Sequence, residues 1–106
     1  MIDLAMGWYT PSTWRELQAI PEAKITMSYS QFVRKVKRMT AEFEAEGINL
    51  VHVPINVSQM VKWCHKHGYE VDTRGRAAYG GILTLALGEG RNVMDVPVTD
   101  LTRTVQ

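Results

Sequence analysis

Residues 72–87, Asp72-Thr73-Arg74-Gly75-Arg76-Ala77-Ala78-Tyr79-Gly80-Gly81-Ile82-Leu83-Thr84-Leu85-Ala86-Leu87, decide how this chain folds. Asp72 or Thr73 can cap a helix that runs through Arg76, Ala77, Ala78 and Tyr79. Two readings part at the glycine pair. A helix loses about 1 kcal/mol for each glycine relative to alanine, so Ile82 to Leu87 can instead form a strand. Gly88-Glu89-Gly90 would then turn the chain into a second strand over 92–98, with Pro97 near its outer end. If the helix continues to Leu87, residues 92–98 are left to pair with residues 50–55. Either reading gives an α+β fold, about four helices packed on a small two- or three-stranded sheet.

Upstream of this stretch the periodicity is plainer. Ser28 is a suitable cap, and Tyr29, Phe32, Val33, Val36, Met39 and Phe43 recur at helical spacing within an arc of about 120°. Gly47 follows as the left-handed terminator. The opposite face carries Arg34, Lys35, Lys37 and Arg38, then Glu42, Glu44 and Glu46 in the last two turns. That order opposes the helix dipole by a few tenths of a kcal/mol per charge, so the apolar stripe must outweigh it. Leu50-Val51-His52-Val53-Pro54-Ile55 reads as a strand whose proline favours an edge or an end. Asn56 caps the next helix, with Gln59 in the capping-box place; Val57, Met60, Val61 and Cys64 form its stripe, and Gly68 ends it. Nearer the N-terminus, Ser12 or Thr13 can cap a short helix, with Glu16 three residues after Thr13 and Trp14 and Leu17 on one face; Pro21 stops it.

The whole chain has 106 residues, 45% apolar and 22% charged, with 12 Lys plus Arg against 11 Asp plus Glu. This is the composition of one globular domain over 1–106, with 99–106 as a candidate flexible tail. A net charge of +1 argues against a strongly basic nucleic-acid binder. A single cysteine, an acid at Asp3 where a signal peptide would carry a base, and no run of about 18 apolar residues lead us to expect a cytoplasmic location and no membrane contact.

Chemical motifs are few. In Trp63-Cys64-His65-Lys66-His67, only Cys64 and His67 share a helix face, and a structural zinc site needs two more ligands. Cys64 lies on the apolar stripe, with His65 turned about 100° away from it, which disfavours a thiolate nucleophile. The glycines match neither a dinucleotide fingerprint nor a phosphate loop. The expectation is therefore no catalytic residue, no metal and no cofactor, hence no enzyme.

Binding fits better. Residues 57–80 can be read as a helix-turn-helix that offers Arg74 and Arg76 to DNA or RNA, but the link from Gly68 to Asp72 is long for such a turn. The basic face of helix 28–46, Arg34, Lys35, Lys37 and Arg38, could hold phosphates. Three tryptophans suggest a protein partner instead. Trp63 lies off its helix stripe on the same flank as His67, while Trp8 and Tyr9 precede the first helix, and such side chains beside arginine are favoured interface anchors.

The pattern Trp8-Tyr9-Thr10-Pro11, Trp14, Val53-Pro54-Ile55-Asn56-Val57, Trp63-Cys64, Gly68, Val71-Asp72 and Arg76-Ala77-Ala78-Tyr79 resembles a group of small bacterial and prophage open reading frames with no assigned activity. The resemblance covers roughly residues 8–80. It implies a mobile-element origin and a helix running past Gly80, since such relatives tend to have alanines at the glycine pair. By analogy it suggests a protein that regulates or inhibits host machinery.

Overall fold

The computed structural model describes residues 2–88, so the strand expected over 92–98 and the tail expected over 99–106 lie outside the described residues. The elements are β1 (Ile2–Trp8), α1 (Pro11–Gln18), a single 3-10 turn (Pro21–Ala23), α2 (Tyr29–Ala45), β2 (Ile48–Pro54), α3 (Val57–Lys66) and α4 (Thr73–Gly88). The α+β class is the one observed.

The sheet contains a strand that the sequence reading does not include. β2 pairs in parallel with β1, in register from Ile2 opposite Ile48 to Trp8 opposite Pro54. Parallel strands need a long crossover, and residues 9–47 supply it as α1, the 3-10 turn and α2. Pro54 ends β2, where its missing N–H does not interrupt the ladder; the next N–H, of Ile55, donates to the Trp8 carbonyl at 3.0 Å. On the other edge of β1, the Ala5 N–H donates to Thr84 Oγ1 of α4 at 2.9 Å, so a helix side chain satisfies a strand edge.

Helix α1 begins earlier than expected. Thr10, not Ser12 or Thr13, is its N-cap: Thr13 N–H donates to Thr10 Oγ1 at 3.2 Å and Thr10 N–H to Thr13 Oγ1 at 2.8 Å. Pro11 explains the shift, because the first helical position does not use a backbone N–H and suits a proline φ. Helix α2 carries the reciprocal box of Ser28 and Gln31, buries Phe32 and Val36, and is followed by Gly47 at φ +79°. Helix α3 is capped by Asn56 and followed by Gly68 at φ +78°.

Helix α4 resolves the ambiguous stretch in favour of the continuous helix. Its buried residues Gly75, Tyr79, Ile82, Leu83 and Ala86 recur at three- and four-residue steps. Burying three large apolar side chains contributes about 1.5–3 kcal/mol each, against about 2 kcal/mol for two helical glycines. Asp72 accepts the Gly75 N–H at 3.0 Å, and this hydrogen bond is the main cause that lowers the Asp72 pKa. At Gly75 a Cβ would lie 2.0 Å from the Glu70 carbonyl oxygen, so only glycine lets the 69–72 link close onto the helix.

Candidate functional site

Strand β1, residues 24–27, α2 and α4 enclose an open cavity of about 590 Å³. Its lining is apolar and rich in methionine: Met6, Met27, Met39 and Met60, four of the six methionines in the chain. Methionine fills irregular space with an unbranched, polarizable side chain, and for that reason recurs at adaptable binding surfaces. The charged side chains that line the cavity are Lys24, Lys35 and Arg76, all cations, with no carboxylate among the described lining residues.

The three cations are held differently. Lys24, at φ +53° after the 3-10 turn, reaches Glu70 at 3.7 Å in an exposed pair. Arg76 is half-buried and tied inward: Nη1 donates to the carbonyls of Ala23 at 3.0 Å and Val71 at 2.9 Å, and Nη2 to Thr73 Oγ1 at 3.3 Å. Arg76 thus clamps three segments, and the oxygens it bonds among the described residues are all neutral. Lys35 is exposed, with no ion pair among the described residues.

Two tyrosines stand in the cavity wall. Tyr9 donates its hydroxyl to Met60 Sδ at 3.6 Å, and burial pushes its pKa up to about 12 against a smaller opposing effect of Arg76. Tyr79 is 3% exposed and lines the same wall. Its pKa is also pushed up to about 12, mainly by burial. Between Arg76 and Thr84 on the same flank of α4, Gly80 and the adjacent Gly81 line the cavity, and a Cβ at either would meet nothing within 4 Å.

A shallower groove of about 410 Å³ adjoins it, lined by Thr26, Met27, Gln31, Arg34, Lys35 and Arg38. Thr26, Met27 and Lys35 border both spaces. Arg34, Lys35, Lys37 and Arg38 are exposed as expected; Arg38 lies 4.0 Å from Glu42, at the limit of an ion pair.

Several expected contact residues are placed otherwise. Trp63 is 2% exposed, with its ring against His67, Tyr69 and Tyr79, which corrects the expectation that it projects from the side of its helix. Tyr9 is 6% exposed and packs edge-on against Trp14 and Phe32, so it too is a core residue. Trp8 is half-buried, stacked on His52 at 5.3 Å. His67 is half-buried against Trp63. Arg76 faces inward as described, while Arg74 is exposed with its guanidinium 5.8 Å from the Tyr69 ring centre. Cys64 is fully buried, and burial pushes its thiol up to about 11.

The structure also forms a link with no sequence signal. His65 Nε2 meets Glu22 Oε1 at 2.5 Å across 43 positions, and the same oxygen accepts the Val71 N–H at 3.3 Å. Among the described residues no group of three or more His, Cys, Asp or Glu could hold a metal ion, and no helix is long and apolar enough to cross a membrane. No protein-family model, curated protein or solved structure matches the chain.

Proposed function

We propose that the chain is a non-enzymatic binding module that receives an acidic segment of a partner protein on the outer face of α2, in the cytoplasm. One observation carries this reading: four bases within five residues, Arg34 to Arg38, stand exposed beside a groove whose described lining contains no carboxylate. Thr26 and Gln31 add hydrogen-bonding groups, and Met27 adds an apolar contact. Electrostatic complementarity of this kind steers association and sets register more than it adds raw affinity.

A phosphate backbone fits the same face less well. The bases span about 6 Å of helix axis, and Glu42 and Glu44 on α2 and Glu46 at its C-cap follow, where a longer polyanion would meet them. The helix-turn-helix reading loses Arg76, whose donors are spent on backbone carbonyls. A mobile-element accessory role, regulating or inhibiting host machinery, belongs to the same proposal and rests on the sequence resemblance.

Affinity capture at low salt from cells that produce the protein tests it, with the natural chain and the Arg34→Glu/Arg38→Glu double variant in parallel. One acidic protein is expected with the natural chain after nuclease treatment, reduced at least about tenfold with the variant. Recovery of nucleic acid alone, or equal capture by both chains, would refute the reading.

A further inference from the structure

We propose that the cavity between β1, α2 and α4 binds a small amphiphile with an apolar body and a single anionic head, the chemistry of a fatty or aryl carboxylate. The volume, about 590 Å³, lies within the range of small-molecule sites, which are mostly apolar with a few placed polar groups. Met6, Met39 and Met60 form walls that adapt to a flexible chain or a ring. The sign of the head follows from the charged lining residues, all cations: Lys24 already pairs with Glu70 and Arg76 bonds neutral oxygens, which leaves Lys35, without an ion pair among the described residues, to meet an anionic head.

Tyr79, 3% exposed, lines the cavity and places a phenol donor in its wall. A further observation points to an occupant. Gly80 and Gly81 weaken α4 and relieve no clash, since a Cβ at either position meets open space. Their lack of side chains keeps the α4 wall of the cavity clear.

The site is separable from the proposed protein-binding face. Gly80 and Tyr79 border the cavity and not the groove, whereas Arg34 and Arg38 border the groove and not the cavity. Failure of one reading therefore leaves the other standing.

The test uses the full chain titrated with decanoate, decanol and decyltrimethylammonium below their micelle concentrations, by calorimetry and by the fluorescence of Trp14, which lines the cavity. Decanoate is expected to bind one to one, at least about tenfold more tightly than decanol, as one charge-assisted hydrogen bond implies. The ammonium compound should not bind. Gly80→Leu, which fills the cavity from α4, should abolish decanoate binding while leaving the melting temperature at or above that of the natural chain; Gly81→Leu serves if the first variant does not fold. Tyr79→Phe should weaken binding several-fold. No decanoate binding, equal affinity for the three amphiphiles, or full binding by a folded leucine variant would overturn the proposal. So would co-sedimentation with phosphatidylglycerol vesicles in the absence of monomer uptake, which would make the ligand a lipid surface.

Discussion

At the scale of single residues, Trp63 shows how a small angular difference changes a role. On a helical wheel with Met60 at the origin, Val57, Cys64 and Trp63 fall at about +60°, +40° and −60°, and Val61 at about +100°. The sequence stripe includes Val61 and leaves Trp63 outside it; in the fold the buried arc is turned the other way, with Trp63 buried and Val61 half-buried. Val57, Met60 and Cys64 fit both arcs, so α3 alone could not decide between them. The deciding contact is Tyr79 of α4, whose ring centre lies 5.5 Å from that of Trp63. Burial leaves Trp63 Nε1 without a hydrogen-bond partner among the described residues. An orphaned buried donor costs about 1–3 kcal/mol, and Phe retains most of the ring packing while removing it. Trp63→Phe should therefore change the unfolding free energy in urea by no more than about 1 kcal/mol. A loss above about 3 kcal/mol, the usual cost of truncating a core aromatic, would show that the indole N–H has a partner.

At the scale of elements, α2 and α3 were readable because cap, stripe and terminating glycine agree in each. β1 was not, although its alternation is visible in Ile2-Asp3-Leu4-Ala5-Met6-Gly7-Trp8. The larger side chains lie on one side of that alternation, yet Ala5 on the other side is the buried residue, and a Cβ at Gly7 would stand 3.1 Å from Ile55 Cγ1. Short side chains let the chain pack closely there and at the same time lower strand propensity. Its partner strand lies 46 positions away, beyond any local pattern. Of the candidate site, the bases of α2 were evident from charge spacing alone. The cavity was not, because its walls come from elements brought together by the crossover and its most informative members, Tyr79 and Gly80, look locally like an ordinary helix and its end. Helix α4 supports a direct prediction. Gly80→Ala and Gly81→Ala add a methyl group into open space and restrict the unfolded chain, so each should stabilise by about 0.5–1 kcal/mol. The double variant should melt several degrees higher, by calorimetry, and a lower melting temperature would mean that the alanine methyl groups meet packed atoms.

At the scale of the whole molecule, the core encloses three acids that titrate only at high pH, Tyr9, Tyr79 and Cys64, and burial raises the pKa of each. Their ordinary values of 10.0, 10.0 and 9.0 become about 12, 12 and 11 in the folded chain. The fold therefore favours their neutral forms. The unfolded chain releases these protons first, so above pH 9 it binds fewer protons than the native state and stability falls as pH rises. Their contribution is fully present below pH 9 and is lost progressively up to about pH 12, as the folded groups themselves ionise. Between their ordinary and raised values each group lowers stability by up to about 1.4 kcal/mol per pH unit. Urea midpoints measured from pH 8 to 11.5 should be nearly level at first and then drop with increasing slope, while phenolate absorbance for Tyr9 and Tyr79 emerges together with loss of helical circular dichroism. Tyr79→Phe removes one of the three groups and should reduce the slope above pH 10 by roughly a third. An unchanged slope in that variant would place the Tyr79 hydroxyl in contact with solvent in the folded protein and remove it from the core's response to alkali.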